Sequence, residues 1–249
     1  MLKHRVIPVV QVLKDSVVKT VSFENPRQVG DATSTVRVFS SRSADELVLL
    51  DIGASLERRE PDYQLIAHAA RQCFMPLTIG GGISSFDVAK KVFDAGADKI
   101  LIGSLLHFDP SEVKRISRSY GAQAIVVSLD FILDGSDYYS AFFSGSKKSF
   151  TLVDAIEHVN GLGIGEVMIT SIQSEGRMCG YDFNLLQEVT KLTAMPVILN
   201  GGAGKLEHFA SALQQGASAV AASSVFFWEG LTINEIRRFL KGQGIAVTN

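Results

Sequence analysis

The chain has 249 residues, 46% of them hydrophobic and 20% charged, with a formal charge of −2. That composition buries a sizeable core and excludes a disordered chain, and the near-neutral charge offers no basic stripe for nucleic acid. Five scattered histidines, and Cys73 and Cys179 without a C-x-x-C, give no metal site and suggest a reducing compartment.

No apolar run approaches the ~20 residues that span a bilayer. Met1-Leu2-Lys3-His4-Arg5 leads into a short strand rather than a signal-peptide core. A soluble cytoplasmic protein without a cofactor is expected. Arg5 to Val12 reads as the first strand, apolar except for Arg5 at its entrance and Gln11 near its exit. Lys14 to Asp31 follows as a polar loop of about 18 residues, a length that is usually functional and often a lid. Glu46 to Asp51, Leu77 to Gly80 and Lys99 to Gly103 are the next three strands. Helices are expected over Asp62 to Cys73, Ser85 to Ala95 and Asp109 to Tyr120, the last with Pro110 in its first turn.

Ala124 to Asp130 is the fifth strand, followed by a polar, aromatic hairpin to Ser149. Thr151 and Asp154 open a helix in the manner of a capping box. Glu166 to Ile172, Val197 to Asn200 and Ala219 to Ser223 complete eight strands, with a helix over Lys205 to Gln215. Thr232 and Glu235 open a last helix that ends near Gly242.

The two halves repeat. Met75-Pro76 and Met195-Pro196, Gly81 and Gly201, Gly96 and Gly216, and Ser104 and Ser224 are each 120 residues apart. An α/β chain of this length with such a self-match reads as one (β/α)8, or TIM, barrel over residues 1–249, with halves of about 1–121 and 122–249. An open doubly wound sheet also alternates strand and helix, but it does not predict the repeat.

In a barrel the active site forms where strands end. Those ends offer Gln11, Asp51, Gly80-Gly81-Gly82, Gly103-Ser104, Asp130, Glu175-Gly176, Asn200-Gly201-Gly202 and Ser223-Ser224. The glycine and serine ends form two symmetry-matched pairs, suited to a substrate phosphorylated at both ends; alternatively, the glycines only let strand meet helix. Asp130 ends an apolar strand, either as a general acid or base or as a hydrogen-bonded loop cap. Gln11 has no accessible pKa and can only orient a substrate. Arg5, Glu46, Lys99 and Glu166 stand at four strand entrances, with Asp98 beside Lys99. From spacing alone they read as surface salt bridges worth under about 1 kcal/mol each.

Val17-Val18-Lys19, Phe23-Glu24-Asn25-Pro26-Arg27 with Gly30-Asp31, Asp45 to Ile52, Gly80-Gly81-Gly82-Ile83, Gly96-Ala97-Asp98-Lys99, Gly176 with Gly180-Tyr181-Asp182, and Gly201 to His208 together resemble the cyclase subunit of imidazole glycerol phosphate synthase, over essentially the whole chain. The resemblance implies a barrel that docks a glutaminase subunit on its amino-terminal face. Ammonia would travel through it to a bisphosphorylated ribulosyl aminoimidazole carboxamide nucleotide, giving imidazole glycerol phosphate and the carboxamide product. It makes Arg5, Glu46, Lys99 and Glu166 a charged gate for ammonia, against the surface reading, Asp98 an interface residue and Lys19 part of a mobile lid. It puts one phosphate on Gly82, Gly103 and Ser104, the other on Gly176, Gly202, Ser223 and Ser224, with Asp51 and Glu175 at the same mouth.

The departures fall at the chemistry. Gln11 stands where the family has a catalytic aspartate, Phe131-Ile132-Leu133 replace a basic segment after Asp130, Glu175-Gly176-Arg177 replace Asp-Gly-Thr, and Gly103-Ser104 replace Asn-Thr. The leading reading is therefore a divergent paralogue that conducts ammonia to a sugar amidotransferase in surface-polysaccharide synthesis, its own cyclase activity impaired. The alternative is the genuine cyclase of histidine synthesis. A related phosphoribosyl isomerase is a third, against which Gln11 and the Phe23 to Arg27 motif argue.

Overall fold

The computed structural model describes residues 3–143 and 145–248. Met1 and Leu2, read above as the approach to the first strand, lie outside the described residues, as do Ser144 and Asn249. The strands are β1 (Arg5–Leu13), β2 (Ser16–Val21), β3 (Glu24–Asp31), β4 (Leu47–Asp51), β5 (Leu77–Gly80) and β6 (Lys99–Ile102). They continue as β7 (Ile125–Asp134), β8 (Asp137–Phe142), β9 (Lys147–Thr151), β10 (Glu166–Ser171), β11 (Val197–Asn200) and β12 (Ala219–Ala222). β1, β4, β5, β6, β7, β10, β11 and β12 pair in parallel in that order, and β12 returns to β1. The chain is a closed (β/α)8 barrel.

Side chains alternate across a strand, so each barrel strand serves two layers. Val6, Val10 and Val12 of β1 join the large outer cluster with the helices, whereas Ile7 and Val9 join a small inner one. Val48, Leu101, Val126, Met168, Ile198, Ala219 and Ala221 complete that inner layer. Burial on both faces is why these strands read as unbroken apolar runs. The same parity continued along each strand sets Arg5 and Gln11 on the inner side of β1. It does likewise for Ser128 and Asp130 on β7, Glu166 and Thr170 on β10, and Asn200 on β11. The pleat thus threads one lining from the amino-terminal end of the lumen to its mouth.

Helix starts follow local chemistry. Asp62, Ser85 and Asp109 cap their helices through side-chain oxygens, and Thr232 with Glu235 forms a full capping box. Thr151 accepts from the Asp154 N–H at 3.2 Å and donates to its carboxylate at 2.7 Å. A further helix, Ala32–Ser41, capped by Asp31, was not anticipated.

The segment expected as a polar loop over 14–31 is instead a hairpin. β2 pairs antiparallel with both β1 and β3. Val17, Val18, Lys19 and Thr20 are buried, while the first five residues of β3 are exposed. An exposed polar strand carries no apolar alternation, which is why composition suggested a loop. The hairpin expected after Asp130 is present, built from the extension of β7 with β8 and β9.

Candidate active site

At the amino-terminal end of the lumen four charged side chains form a closed ring. Arg5 meets Glu46 at 2.8 Å, Lys99 meets both Glu46 and Glu166 at 3.1 Å, and Arg5 closes the ring on Glu166. Thr78 donates a further hydrogen bond to Glu46 at 2.8 Å. The Glu46 side chain is only 3% exposed and that of Glu166 13%, so these are not the surface salt bridges that spacing suggested. Burial pulls the Arg5 guanidinium down, but Glu166 and Glu46 outweigh it and its pKa ends above the ordinary value. Glu166 is raised by burial and more than compensated by Arg5 and Lys99, ending low. Arg5 and Glu166 are thus each held charged by their partners across the ring. Asp98 stands beside the ring, exposed, its carboxylate accepting from the Leu77 N–H at 2.8 Å.

At the other end lies a cavity of about 140 Å³, lined among others by Gln11, Asp51, Gly82, Gly103, Ser104, Ser128, Asp130 and Asn200. Asp130 keeps part of its surface open to this cavity, yet the surrounding protein removes enough water to push its pKa to about 7. Thr170 and Ser128 hydrogen-bond it and pull the other way, and Glu175 adds a repulsion that raises it further. A carboxyl titrating there can give or take a proton near neutrality.

Gln11 and Glu175 meet beneath the β2–β3 hairpin. The Gln11 side-chain N–H donates to Glu175 at 3.4 Å, the Thr20 hydroxyl at 3.0 Å and the Phe23 backbone N–H at 3.2 Å. Burial raises the Glu175 pKa against these hydrogen bonds and the pull of Lys19. Lys19 reaches across to the Ser223 hydroxyl and stacks over Phe227, 4.7 Å from the ring centre. Its burial lowers the ammonium to about pKa 7, opposed by Glu175. The hairpin therefore lies over a second recess of only about 20 Å³, lined by Gln11, Glu175, Gly176, Gly202, Ser223 and Ser224 among others.

The histidine biosynthesis protein family model matches residues 5–232. The imidazole glycerol phosphate synthase subunit HisF of Endomicrobium trichonymphae is 40% identical over 250 residues, 99% of this chain and 96% of that protein. The HisF subunits of Chlorobium phaeobacteroides (strain BS1) and Thermotoga sp. (strain RQ2) are 39% and 38% identical, each over 99% of this chain, covering 99% and 98% of those proteins. The chain belongs to the HisF family. These names favour the alternative of a histidine-synthesis cyclase subunit over the surface-polysaccharide reading, which they do not support.

Within this HisF-type barrel, the residues singled out in the sequence gather at the two ends of one lumen. Gly82, Gly103 and Ser104 line the larger cavity, and Gly176, Gly202, Ser223 and Ser224 the smaller. Their glycines, however, are demanded by the fold itself. A Cβ on Gly82 would meet the Arg59 carbonyl oxygen at 2.7 Å, and one on Gly202 the Gly180 carbonyl oxygen at 2.0 Å, both at positive φ. Of these four glycines, only Gly103 would take a Cβ without a clash, its nearest neighbour being the Ser128 carbonyl oxygen at 3.9 Å. Close approach by an anion is not what compels the others.

Several site residues escaped the sequence reading. Arg59 binds the Asp51 carboxylate through two nitrogens, at 2.6 and 2.9 Å, so Asp51 enters the mouth already paired. Their spacing of eight residues across a loop left no periodic signal. His107, Phe142 and Phe143 form an aromatic wall beside Ser104, with His107 stacked 4.5 Å from Phe142 and lowered by burial to about pKa 4. Among the described residues no group of three or more His, Cys, Asp or Glu could hold a metal, and no helix is long and apolar enough to cross a membrane.

Proposed function

We propose that this barrel is the ammonia-accepting cyclase subunit of a glutamine-dependent imidazole glycerol phosphate synthase. The observation that carries the reading is the continuous inner lining. The charged ring of Arg5, Glu46, Lys99 and Glu166 stands at one end, the apolar inner layer follows, and Asp130 stands at the other end. A buried charged ring gives a free-standing barrel little net stability, because desolvation offsets the attraction. It makes sense as a gate against a glutaminase of HisH type docked on the amino-terminal face as a heterodimer, where Asp98 is exposed.

At the mouth, the bisphosphorylated nucleotide lies between the Gly82, Gly103 and Ser104 pocket and the Gly176, Gly202, Ser223 and Ser224 recess. Filling the recess requires the β2–β3 hairpin to move and Lys19 to exchange Ser223 for a phosphate oxygen. Asp130 serves as the general acid–base group. The second proton-transfer role, which Gln11 cannot fill, falls to Glu175, the carboxyl hydrogen-bonded to Gln11. The test is formation of imidazole glycerol phosphate from the nucleotide with ammonium salts at alkaline pH, which bypasses the glutaminase.

Gln11 also favours a second reading. An amide at the mouth transfers no protons, so the barrel would hand its ammonia to a sugar amidotransferase that converts an acetamido to an acetamidino sugar. That reading predicts binding of the nucleotide without turnover, and rescue by Gln11→Asp.

A further inference from the structure

Gln11 is 5% exposed, and its side-chain oxygen is buried without a hydrogen-bond partner among the described residues. A buried polar atom left so is uncommon and costly, and calls for an explanation. Its orientation is fixed by the other end of the amide, because the N–H donates to a Glu175 carboxylate whose second oxygen takes Thr20 and Phe23. With its N–H end bound to Glu175, the Gln11 carbonyl faces away from that carboxyl. Resting on the proposed passage of ammonia through the lumen, we infer that the Gln11 carbonyl oxygen is the docking point for ammonia where the lumen opens into the mouth.

Three observations converge on that ligand. On the inner side of β1, Gln11 comes next after Arg5 in the charged ring and Ile7 and Val9 in the apolar layer. A small neutral molecule passing that layer meets Gln11 as the first polar side chain on this strand. Gln11 also lines the larger cavity of about 140 Å³, which has room for a molecule of water's size apart from the recess assigned to the phosphate. The free group is an acceptor, so the occupant must be a donor. An amide is also the right acceptor chemically. A carboxylate would favour the ammonium ion, which has no lone pair for attack, whereas a neutral carbonyl takes one N–H and leaves the lone pair free.

The experiment is a side-chain amide NMR titration of the isotopically labelled whole chain, with the Gln11 signal assigned by its loss in Gln11→Leu. Ammonium and sodium salts are compared at alkaline and at mildly acidic pH, the sodium series reading the titration of Asp130, Glu175 and Lys19 alone. The expected result is a saturable shift of the Gln11 amide with ammonium at alkaline pH only. No shift beyond the sodium series overturns the inference, and so does an equal shift at acidic pH, which means the ion binds instead. In ammonium-driven turnover, Gln11→Leu is expected to raise the half-saturating ammonia concentration about ten-fold, the loss of one hydrogen bond, and that of the nucleotide by much less. Equal rises in both overturn ammonia docking. A saturable shift in a chain that forms no imidazole glycerol phosphate leaves this inference standing and removes the cyclase reading instead.

Discussion

Arg5 and Gln11 face the same side of β1, with Ile7 and Val9 between them. At ~3.3 Å per residue, one strand spans about 20 Å from the charged ring to the mouth. Any substitution that shifts β1 by one residue would turn this entire file outward and present Val6 and Val10 to the lumen. Position on the pleat, rather than any local motif, makes these two residues parts of one path.

Breaking the ring should be costly although the intact ring contributes little. Glu46→Gln leaves Arg5 and Lys99 sharing Glu166 alone, and is expected to destabilise the barrel by about 3 kcal/mol. Lys90→Ala, which removes an exposed pair with Asp94, should cost under about 0.5 kcal/mol. Denaturant unfolding of the two variants checks the contrast; equal effects would contradict the buried ring.

The Asp130 carboxyl titrates near 4 in the unfolded chain and at about 7 in the folded one. The folded state therefore binds its proton more tightly, and stability falls as pH rises from about 4 to about 7. Asp130→Asn escapes that loss. It should unfold like the parent near pH 4 and be more stable by up to about 4 kcal/mol above pH 8, while losing about 10²-fold or more in turnover. Thermal unfolding at both pH values reads it, and a variant less stable at alkaline pH would refute the raised pKa.

The hairpin of β2 and β3 is held down through Glu175. Glu175→Ala removes the bonds from Thr20, Phe23 and Gln11 while sparing the backbone bond from Ser22. Opening should become easier by about 2 kcal/mol, roughly thirty-fold in hydrogen exchange over residues 16–31. Unchanged exchange at Phe23 would show that the latch lies elsewhere.

Glycine at position 202 is set by a backbone contact. Gly202→Ala would place a Cβ 2.0 Å from the Gly180 carbonyl oxygen and should cost at least about 3 kcal/mol. Gly230, also at positive φ but with open space around it, should tolerate alanine for about 1–2 kcal/mol. Comparable losses at both sites would mean that φ alone decides.

The barrel was legible because doubly buried strands are apolar throughout and the half-repeat marks their number. The site was legible only as residues at strand ends. Gln11, Asp130 and the ring fall there because the pleat alternates. Arg59 reaches Asp51 across a loop and Lys19 reaches Ser223 from a hairpin, pairings between segments with no shared period. The hairpin itself was missed because β3 buries almost nothing, and the reading of close anion approach at Gly82 and Gly202 could not see the neighbouring backbone that fills their Cβ positions.

The most direct test of the account is the rate at which the purified barrel forms imidazole glycerol phosphate from the bisphosphorylated nucleotide with ammonium salts at alkaline pH. The account predicts turnover that depends on both Asp130 and Glu175, falling about 10²-fold or more in Asp130→Asn and in Glu175→Gln. Turnover is instead absent in the parent and restored in Gln11→Asp if the barrel only conducts ammonia, and that result would contradict the cyclase assignment.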